Sequence, residues 1–390
     1  MTRIVIAAGG TAGHVVPALA VAAALRERGA DVGFVGGERA EAELVPAAGY
    51  PFHRLRVIGI DRRNPARAAR AVGLAALATA RAPALLRRLR PDVVLGGGGY
   101  VAGPVGLAAA LLGIPLALSE ADSHMGLANR LLSPLARRIF LAFPPEQSAR
   151  PGRRLVTGRP IPAATLSADR EAARARFGLP SGRPCLLIFG GSLGARSLNE
   201  AAVEAFARPS RELSVLHACG RRDYETLATR LNELGSPSHY RLHPYIEPFA
   251  DALAAADLAA ARAGGSIFEL AAAGLPAVLV PYPHATGDHQ SANARWMAAG
   301  GAATVVADSV LDADRLAREV GELLADPARL DRMARAARVL ARPDAAERIA
   351  EELLRLASGG GPEAAAGELG AGGAARRMIV RRRRRGTTAR

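Results

Sequence analysis

Short apolar runs alternate along the chain with longer Ala-, Leu- and Arg-rich segments whose apolar positions recur at helical spacing. That alternation predicts the α/β class, with parallel sheets wrapped by helices. In the first half, RIVIAA, DVGFVGG, DVVLGGGG, PLALSEA, RIFLAF and RLVTG read as strands; in the second half, PCLLIFGG, LSVLHACG, YRLHPYI, DLAAARA, PAVLVPY and AATVVA do. The halves echo one another. RIVIAAGGTAGHVVPALAVA and CLLIFGGSLGARSLNEAAVE each run from an apolar strand through Gly-Gly and a hydroxyl residue into an Ala-rich helix. Two Rossmann-like domains are therefore expected, facing a cleft between the carboxyl ends of their sheets. The prolines and glycines of VTGRPIPAATL place the boundary between domains at 1–160 and 161–342. An amphipathic helix over 343–357 and a disordered basic tail over 358–390 complete the expected organisation.

Composition changes this picture little. The 390 residues are 49% hydrophobic and only 4% aromatic, so the cores must be built from Ala, Val and Leu. A net charge of +15 suggests an anionic partner. Every positive side chain is Arg, however, and residues 358–390 alone hold eight Arg against two Glu. Much of the excess is thus tail, and no specific nucleic-acid partner is expected. Cys185 and Cys219 sit inside apolar runs without metal-ligand spacing, which predicts buried thiols. The N-terminus enters a strand with no signal-peptide pattern, and no apolar run approaches the roughly 20 residues of a spanning helix. A cytoplasmic protein is expected.

Four stretches carry candidate chemistry. In GGTAGHVVPA, glycines precede a helix, yet the spacing fits neither a dinucleotide fingerprint nor a phosphate-binding loop ending in Lys. His14 falls in the first helical turn, where the positive helix end lowers its pKa and favours a neutral imidazole able to act as a base. In GGGGYVAGP, four consecutive glycines are costly in entropy and imply close backbone approach; Tyr100 reads equally well as a lid on the core. GGSLGAR offers a second helix N-terminus, with Ser192 either contacting a diphosphate or capping the helix. In ARAGGSIFELAAAGLPAVLVPYPHATGDHQSANA, Glu269 is either a helix-dipole partner or the acceptor of a ribose diol. The following loop, with Asp288, His289 and Gln290, would then read a sugar.

Taken together over about residues 3–310, GGTAGHVVPALAVA, GGGGYVAGPVGLAA, GGSLGARSLN and ELAAAGLPAVLVPYPHATGDHQSANA resemble the MurG family of glycosyltransferases. The resemblance implies the two-domain GT-B fold, with UDP-N-acetylglucosamine bound mainly by the second domain. It implies inverting transfer of N-acetylglucosamine to an undecaprenyl-diphosphate-linked muramyl pentapeptide in peptidoglycan synthesis, without a cofactor or an obligatory metal. Carried over residue by residue, Thr11, Ala12 and Gly13 lie against the donor sugar and Ser192 contacts the diphosphate. Ile246 pairs with uracil through its backbone, Glu269 takes the ribose, and Gln290 takes the N-acetylglucosamine. Gly265, Ser266 and His289 complete the substrate-binding set. His14, Asp122 and Glu120 are the catalytic candidates.

Three departures from the family pattern are visible. SEAD keeps Glu120 but places Asp122 where the family has Asn. TGRPIP has Pro162 where an Arg is usual, leaving Arg159 as the nearest substitute, and the glycine turn before Glu269 is one residue shorter.

A lipid acceptor implies residence at the cytoplasmic face of the cell membrane as a peripheral protein. Within RRNPARAARAVGLAALATARAPALLRRLR, the arginines 62, 63, 67, 70, 81, 87 and 88 lie among Leu74, Leu77, Leu85 and Leu86, the composition of an interfacial helix on an anionic surface. An ordinary amphipathic helix packed on its own sheet has the same composition. Among rival functions, a diacylglycerol glucosyltransferase shares the glycine loops, and a non-enzymatic basic anion-binding protein accounts only for the charge.

Overall fold

The computed structural model describes residues 1–59, 64–144, 152–191, 194–208 and 212–360. Ser192, Arg62 and Arg63, and the basic tail from residue 361, lie outside the described residues.

Among the described residues, thirteen strands form two wholly parallel sheets. The first contains β1 (Arg3–Ala7), β2 (Asp31–Gly36), β3 (Phe52–Arg54), β4 (Val93–Gly96), β5 (Leu116–Glu120), β6 (Arg138–Leu141) and β7 (Arg154–Val156), in the order β3-β2-β1-β4-β5-β6-β7. The second contains β8 (Cys185–Phe189), β9 (Ser214–Ala218), β10 (Tyr240–His243), β11 (Leu258–Ala261), β12 (Ala277–Leu279) and β13 (Ala303–Val305), in the order β10-β9-β8-β11-β12-β13. Both orders are those of a doubly wound sheet, whose direction reverses at β1/β4 and again at β8/β11. The central strands are buried on both faces because helices cover each side, which is why they read as continuous apolar runs. Strand β3 was not among the expected strands. It has three residues, lies at an edge and pairs only with β2, so it carries no apolar run to betray it.

Each sheet divides its domain's core into two apolar clusters, one per face. Cys185 and Cys219 are free and buried, and burial pushes their thiols up to about 12 and about 11. The chain's last described helix, Ala345–Ala357, returns to the first domain. Its Ile349, Ala350 and Leu353 pack among Ile4, Val21 and Leu25. Glu352 pairs with the buried Arg138 at 2.9 Å, and Glu351 with Arg28 at 3.0 Å. The chain thus crosses between the domains twice. The crossings touch where Gly158, at φ 87°, lies flush against Arg342, leaving no room for a side chain at 158.

The long helix Pro65–Leu89 corrects two expectations. By length and composition, Ala69–Leu89 is apolar enough to cross a membrane, contrary to the expectation that no segment approached that length. It packs instead against the helix Ala102–Leu111 and joins the apolar cluster on one face of the first sheet through Ala78, Ala82 and Leu86, with Ala71 also buried. Leu86 therefore belongs to the core and not to an interfacial face, while Leu74 and Leu85 are half-buried. Leu77, 45% exposed, and Val72, 59% exposed, face outward with Arg81, Arg87 and Arg88.

The returning helix should be integral to the first domain's stability. Leu353→Ala removes a fully buried side chain and should lower the unfolding free energy by about 2–5 kcal/mol in denaturant titration. A change below about 0.5 kcal/mol would show that the helix is not docked.

Candidate functional site

The loops leaving β1, β4 and β5 lie at the carboxyl edge of the first sheet and those leaving β8, β11 and β12 at the carboxyl edge of the second; Arg159 reaches both the Gly13 carbonyl and the turn at Gly265. The helix Ala12–Glu27 starts immediately after the first glycine loop, with Thr11 at its N-cap position. His14 stands in its first turn and packs against the second glycine loop: a methyl group at Gly98 would fall 2.6 Å from the imidazole Cδ2. Its Nδ1 lies 3.5 Å from the Thr11 hydroxyl. Burial pulls the His14 pKa below the ordinary imidazole value, assisted by Arg159 and His289 and opposed by Asp122 and Glu41. The ring is therefore neutral at neutral pH and able to accept a proton.

Arg159 occupies the centre of the cleft. Its guanidinium is buried, donates to the Ala121 carbonyl at 2.9 Å and the Gly13 carbonyl at 2.5 Å, and lies 3.8 Å from Asp122 Oδ1. On the other side it presses on the turn before Glu269 so closely that Gly265 has no room for a Cβ. Burial works against its charge, whereas Asp122, Glu269 and Glu120 favour it. Sequence alone offered Arg159 only as a substitute; the fold puts it between His14's loop and Glu269's helix.

The two carboxylates near Arg159 differ in their surroundings. Glu120 accepts from the Gly126 N–H at 2.8 Å, the Asn129 carboxamide at 3.0 Å and the Asp122 N–H at 3.3 Å. Burial raises its pKa while those bonds lower it. Both oxygens are committed to shaping the 121–126 loop. Asp122 carries the loop's outward carboxylate, held towards Arg159.

In the second domain, Glu269 sits in the first turn of the helix Ile267–Ala273, which ends at Gly274 in the left-handed conformation. Burial raises its pKa, Arg159 lowers it, and its carboxylate has no hydrogen-bond partner among the described residues. Ile246 buries its side chain, leaving its backbone N–H and C=O likewise without partners among the described residues. Gln290 opens the helix His289–Ala299; its carbonyl oxygen accepts from the Tyr282 N–H at 2.9 Å, which leaves its NH₂ free to point towards Gly264. Ser266 takes the N-cap position of the Glu269 helix without capping it. The helix Arg196–Phe206 begins beyond the third glycine loop, where Gly194 packs against the Cys219 carbonyl and Arg196 lies 3.9 Å from Asp223.

Several organising residues escaped the sequence. Arg262 donates to the Val280 carbonyl at 3.1 Å and the Ser197 hydroxyl at 2.7 Å, and pairs with Asp308 at 2.7 Å, joining the two loops that flank the second-domain site. Asn293 donates to the Ala263 carbonyl at 2.9 Å and holds the Gly264–Ser266 turn. Asn199 links His217 at 3.0 Å to Asp223 at 3.0 Å, and Tyr240 closes the chain on His217 at 2.7 Å. Burial drives the His217 pKa down to about 3, so this imidazole remains a neutral structural group. Glu41 is fully buried beneath the first-domain glycine loops and takes the Gly10 N–H at 2.8 Å, so that amide is not available to an anion. Only its place in the first turn of a short helix marks it in the sequence, and any helix-dipole partner looks the same.

Residues 4–141 match the model of the glycosyltransferase family 28 N-terminal domain, and residues 185–349 match that of the family 28 C-terminal domain. The UDP-N-acetylglucosamine–N-acetylmuramyl-(pentapeptide) pyrophosphoryl-undecaprenol N-acetylglucosamine transferase of Moorella thermoacetica is 42% identical over 92% of this chain and 100% of its own length. The enzyme of the same name from Methylococcus capsulatus is 44% identical over 91% of this chain and 99% of its own. The crystal structure of Acinetobacter baumannii MurG is similar with a TM-score of 0.71 at 32% identity, covering 91% of this chain and 100% of that one.

The lowered pKa of His14 can be measured directly. By NMR titration its imidazole should protonate below 6.5, because the charged form is the one burial disfavours. A midpoint above 7 would mean that Asp122 and Glu41 outweigh burial.

Proposed function

This chain belongs to glycosyltransferase family 28, and we propose that it transfers N-acetylglucosamine from UDP-N-acetylglucosamine to an undecaprenyl-diphosphate-linked N-acetylmuramyl pentapeptide. The observation that carries the reading is the division of the cleft. A neutral imidazole stands on one side, and on the other a carboxylate and backbone polar groups that have no partner among the described residues.

The second domain holds the donor. Uracil pairs with the open backbone of Ile246, and the ribose diol donates both hydroxyl protons to Glu269. The free NH₂ of Gln290 donates to the sugar, with Ser266 and His289 beside it. The diphosphate lies at Ser192 and the start of the helix Arg196–Phe206, where Arg196 adds positive charge. Thr11, Ala12 and Gly13 close over the sugar from the first domain.

His14 takes the proton from the acceptor hydroxyl as its oxygen forms the new bond to the anomeric carbon. The bond from that carbon to the diphosphate breaks on the opposite face, and UDP departs with the electron pair. The configuration is therefore inverted. Asp122 is the weaker candidate base because its carboxylate is already engaged in an ion pair with Arg159 at 3.8 Å. Glu120 acts through the loop it shapes. Arg159 keeps the two sides at working distance, which excludes water and orients the reactants.

The acceptor's lipid places the reaction at a membrane surface. The outward face of the helix Pro65–Leu89 offers Val72 and Leu77 beside exposed arginines. The helix Ala102–Leu111 packs against it, with Leu111 71% exposed. Apolar groups inserted among headgroups with flanking arginines on anionic lipid form the expected peripheral dock.

Incubating the purified protein with UDP-N-acetylglucosamine and the lipid acceptor should release UDP and add one N-acetylglucosamine to the acceptor; no product would refute the reading. Glu269→Ala should raise KM for the donor roughly 10- to 100-fold, since hydrogen bonds to a charged group are worth about 1.5–3 kcal/mol. Saturation at the parent's donor concentration would remove Glu269 from the ribose. Replacing Val72 and Leu77 together by Ser should reduce sedimentation with anionic vesicles and leave turnover of a short-chain, water-soluble acceptor intact. Equal loss in both assays would assign that face to folding.

A further inference from the structure

Glu41 is a completely buried carboxylate with no ion-pair partner among the described residues. Such a group persists only where hydrogen bonds replace its lost hydration. Three donors do so, each from a different loop at the carboxyl edge of the first sheet. Oε2 accepts the Gly10 N–H at 2.8 Å, after β1; Oε1 accepts the Gly37 N–H at 2.9 Å, after β2, and the Tyr100 hydroxyl at 3.2 Å, after β4. The surrounding glycines make room for it. A methyl group at Gly9 or at Gly37 would fall 2.9 Å from Oε1, and one at Gly36 would fall 2.7 Å from Cγ.

The clamp reaches His14 through two routes. Gly10 leads directly into Thr11 and the helix that carries the imidazole. Tyr100 terminates the glycine run in which Gly99 lies flush against the Gly9 carbonyl and Gly98 against the imidazole ring. Both walls of the His14 pocket are therefore anchored on one carboxylate. Burial and the Glu41 hydrogen bond raise the Tyr100 pKa, so the hydroxyl stays a donor.

We propose that Glu41 is a positioning residue, locking the glycine loops after β1, β2 and β4 in the one arrangement that presents His14 to the acceptor hydroxyl. This rests on the reading of His14 as the base. Glu41 touches neither substrate; it acts by fixing the loops and by adding negative charge behind the imidazole. The charged groups facing His14 are Asp122 and Glu41, which favour its protonated form, and Arg159 and His289, which oppose it.

Glu41→Gln is the test, because it keeps the side chain's size while replacing one accepting oxygen with an NH₂ that must confront a backbone N–H. Turnover should fall by up to about 10²-fold, as expected for a misplaced base, and KM for the lipid acceptor should rise. KM for UDP-N-acetylglucosamine should stay within about twofold, since the donor sits in the other domain. The acid limb of the kcat profile should move to lower pH, because a negative charge favouring imidazolium is gone; a residue needed only for folding would scale the amount of active enzyme and leave that limb in place. A folded Glu41→Gln protein with the parent's turnover, acceptor KM and acid limb overturns the proposal. If Glu41→Gln does not fold, Tyr100→Phe removes one arm of the clamp and should show a smaller loss of turnover with unchanged donor KM; parental kinetics there overturn it instead. The NMR titration of His14 in both proteins separates this from the transfer reading. A downward shift in Glu41→Gln stands even if no transfer is seen, and an unmoved midpoint contradicts the clamp whatever the activity.

Discussion

One buried guanidinium, that of Arg159, ties the two sides of the cleft together. Removing a charge from water is costly, and the structure offsets that cost with two carbonyls from the first domain and the fields of Asp122 and Glu269 from either side. Those partners cannot be satisfied unless the loops that carry them converge. Gly265 lies too close to Arg159 for any side chain, so the turn before Glu269 is set by the same group that fixes the Gly13 carbonyl. The same guanidinium thus touches both sides of the cleft, and the contact of Gly158 with Arg342 marks where the two crossings between the domains meet.

Around that constraint the domains divide the work. The first domain crowds glycine loops round the His14 imidazole, the proposed proton acceptor, and anchors them on a buried carboxylate. In the proposed reading the second holds the nucleotide sugar on polar groups that have no partner among the described residues, and Arg262 and Asn293 brace the loops that bear them. Both exploit the carboxyl edge of a doubly wound sheet, where successive loops converge without distorting the strands. The neutral state of His14 follows from the same packing, since the burial that holds the ring also disfavours its charge.

Much of this was legible in the chain. The central strands, buried on both faces, are apolar along their whole length and stood out, and the partly exposed edge strands Arg154–Val156, Tyr240–His243 and Ala303–Val305 were still visible within short apolar stretches, whereas the three-residue edge strand Phe52–Arg54 was not. The glycine loops were visible because close backbone approach leaves few other residues usable. The bonds that organise the site were not visible, because they join residues remote in sequence: Arg159 with Gly13, Tyr100 with Glu41, and the last helix with the first domain. Helical periodicity likewise could not tell which leucines of Pro65–Leu89 face the sheet; packing alone decides that Leu86 is core and Leu77 is not. An acid early in a short helix and a buried clamp for three loops have the same sequence signature.

The central claim is that chemistry resides in the first domain and donor recognition in the second. His14→Ala, assayed for turnover and for UDP-N-acetylglucosamine binding in the same preparation, tests it most directly. Turnover should fall by about 10²–10⁴-fold, the range of general acid–base groups, with donor affinity unchanged. A His14→Ala enzyme that keeps full turnover, or that loses donor binding in step with activity, would contradict the account.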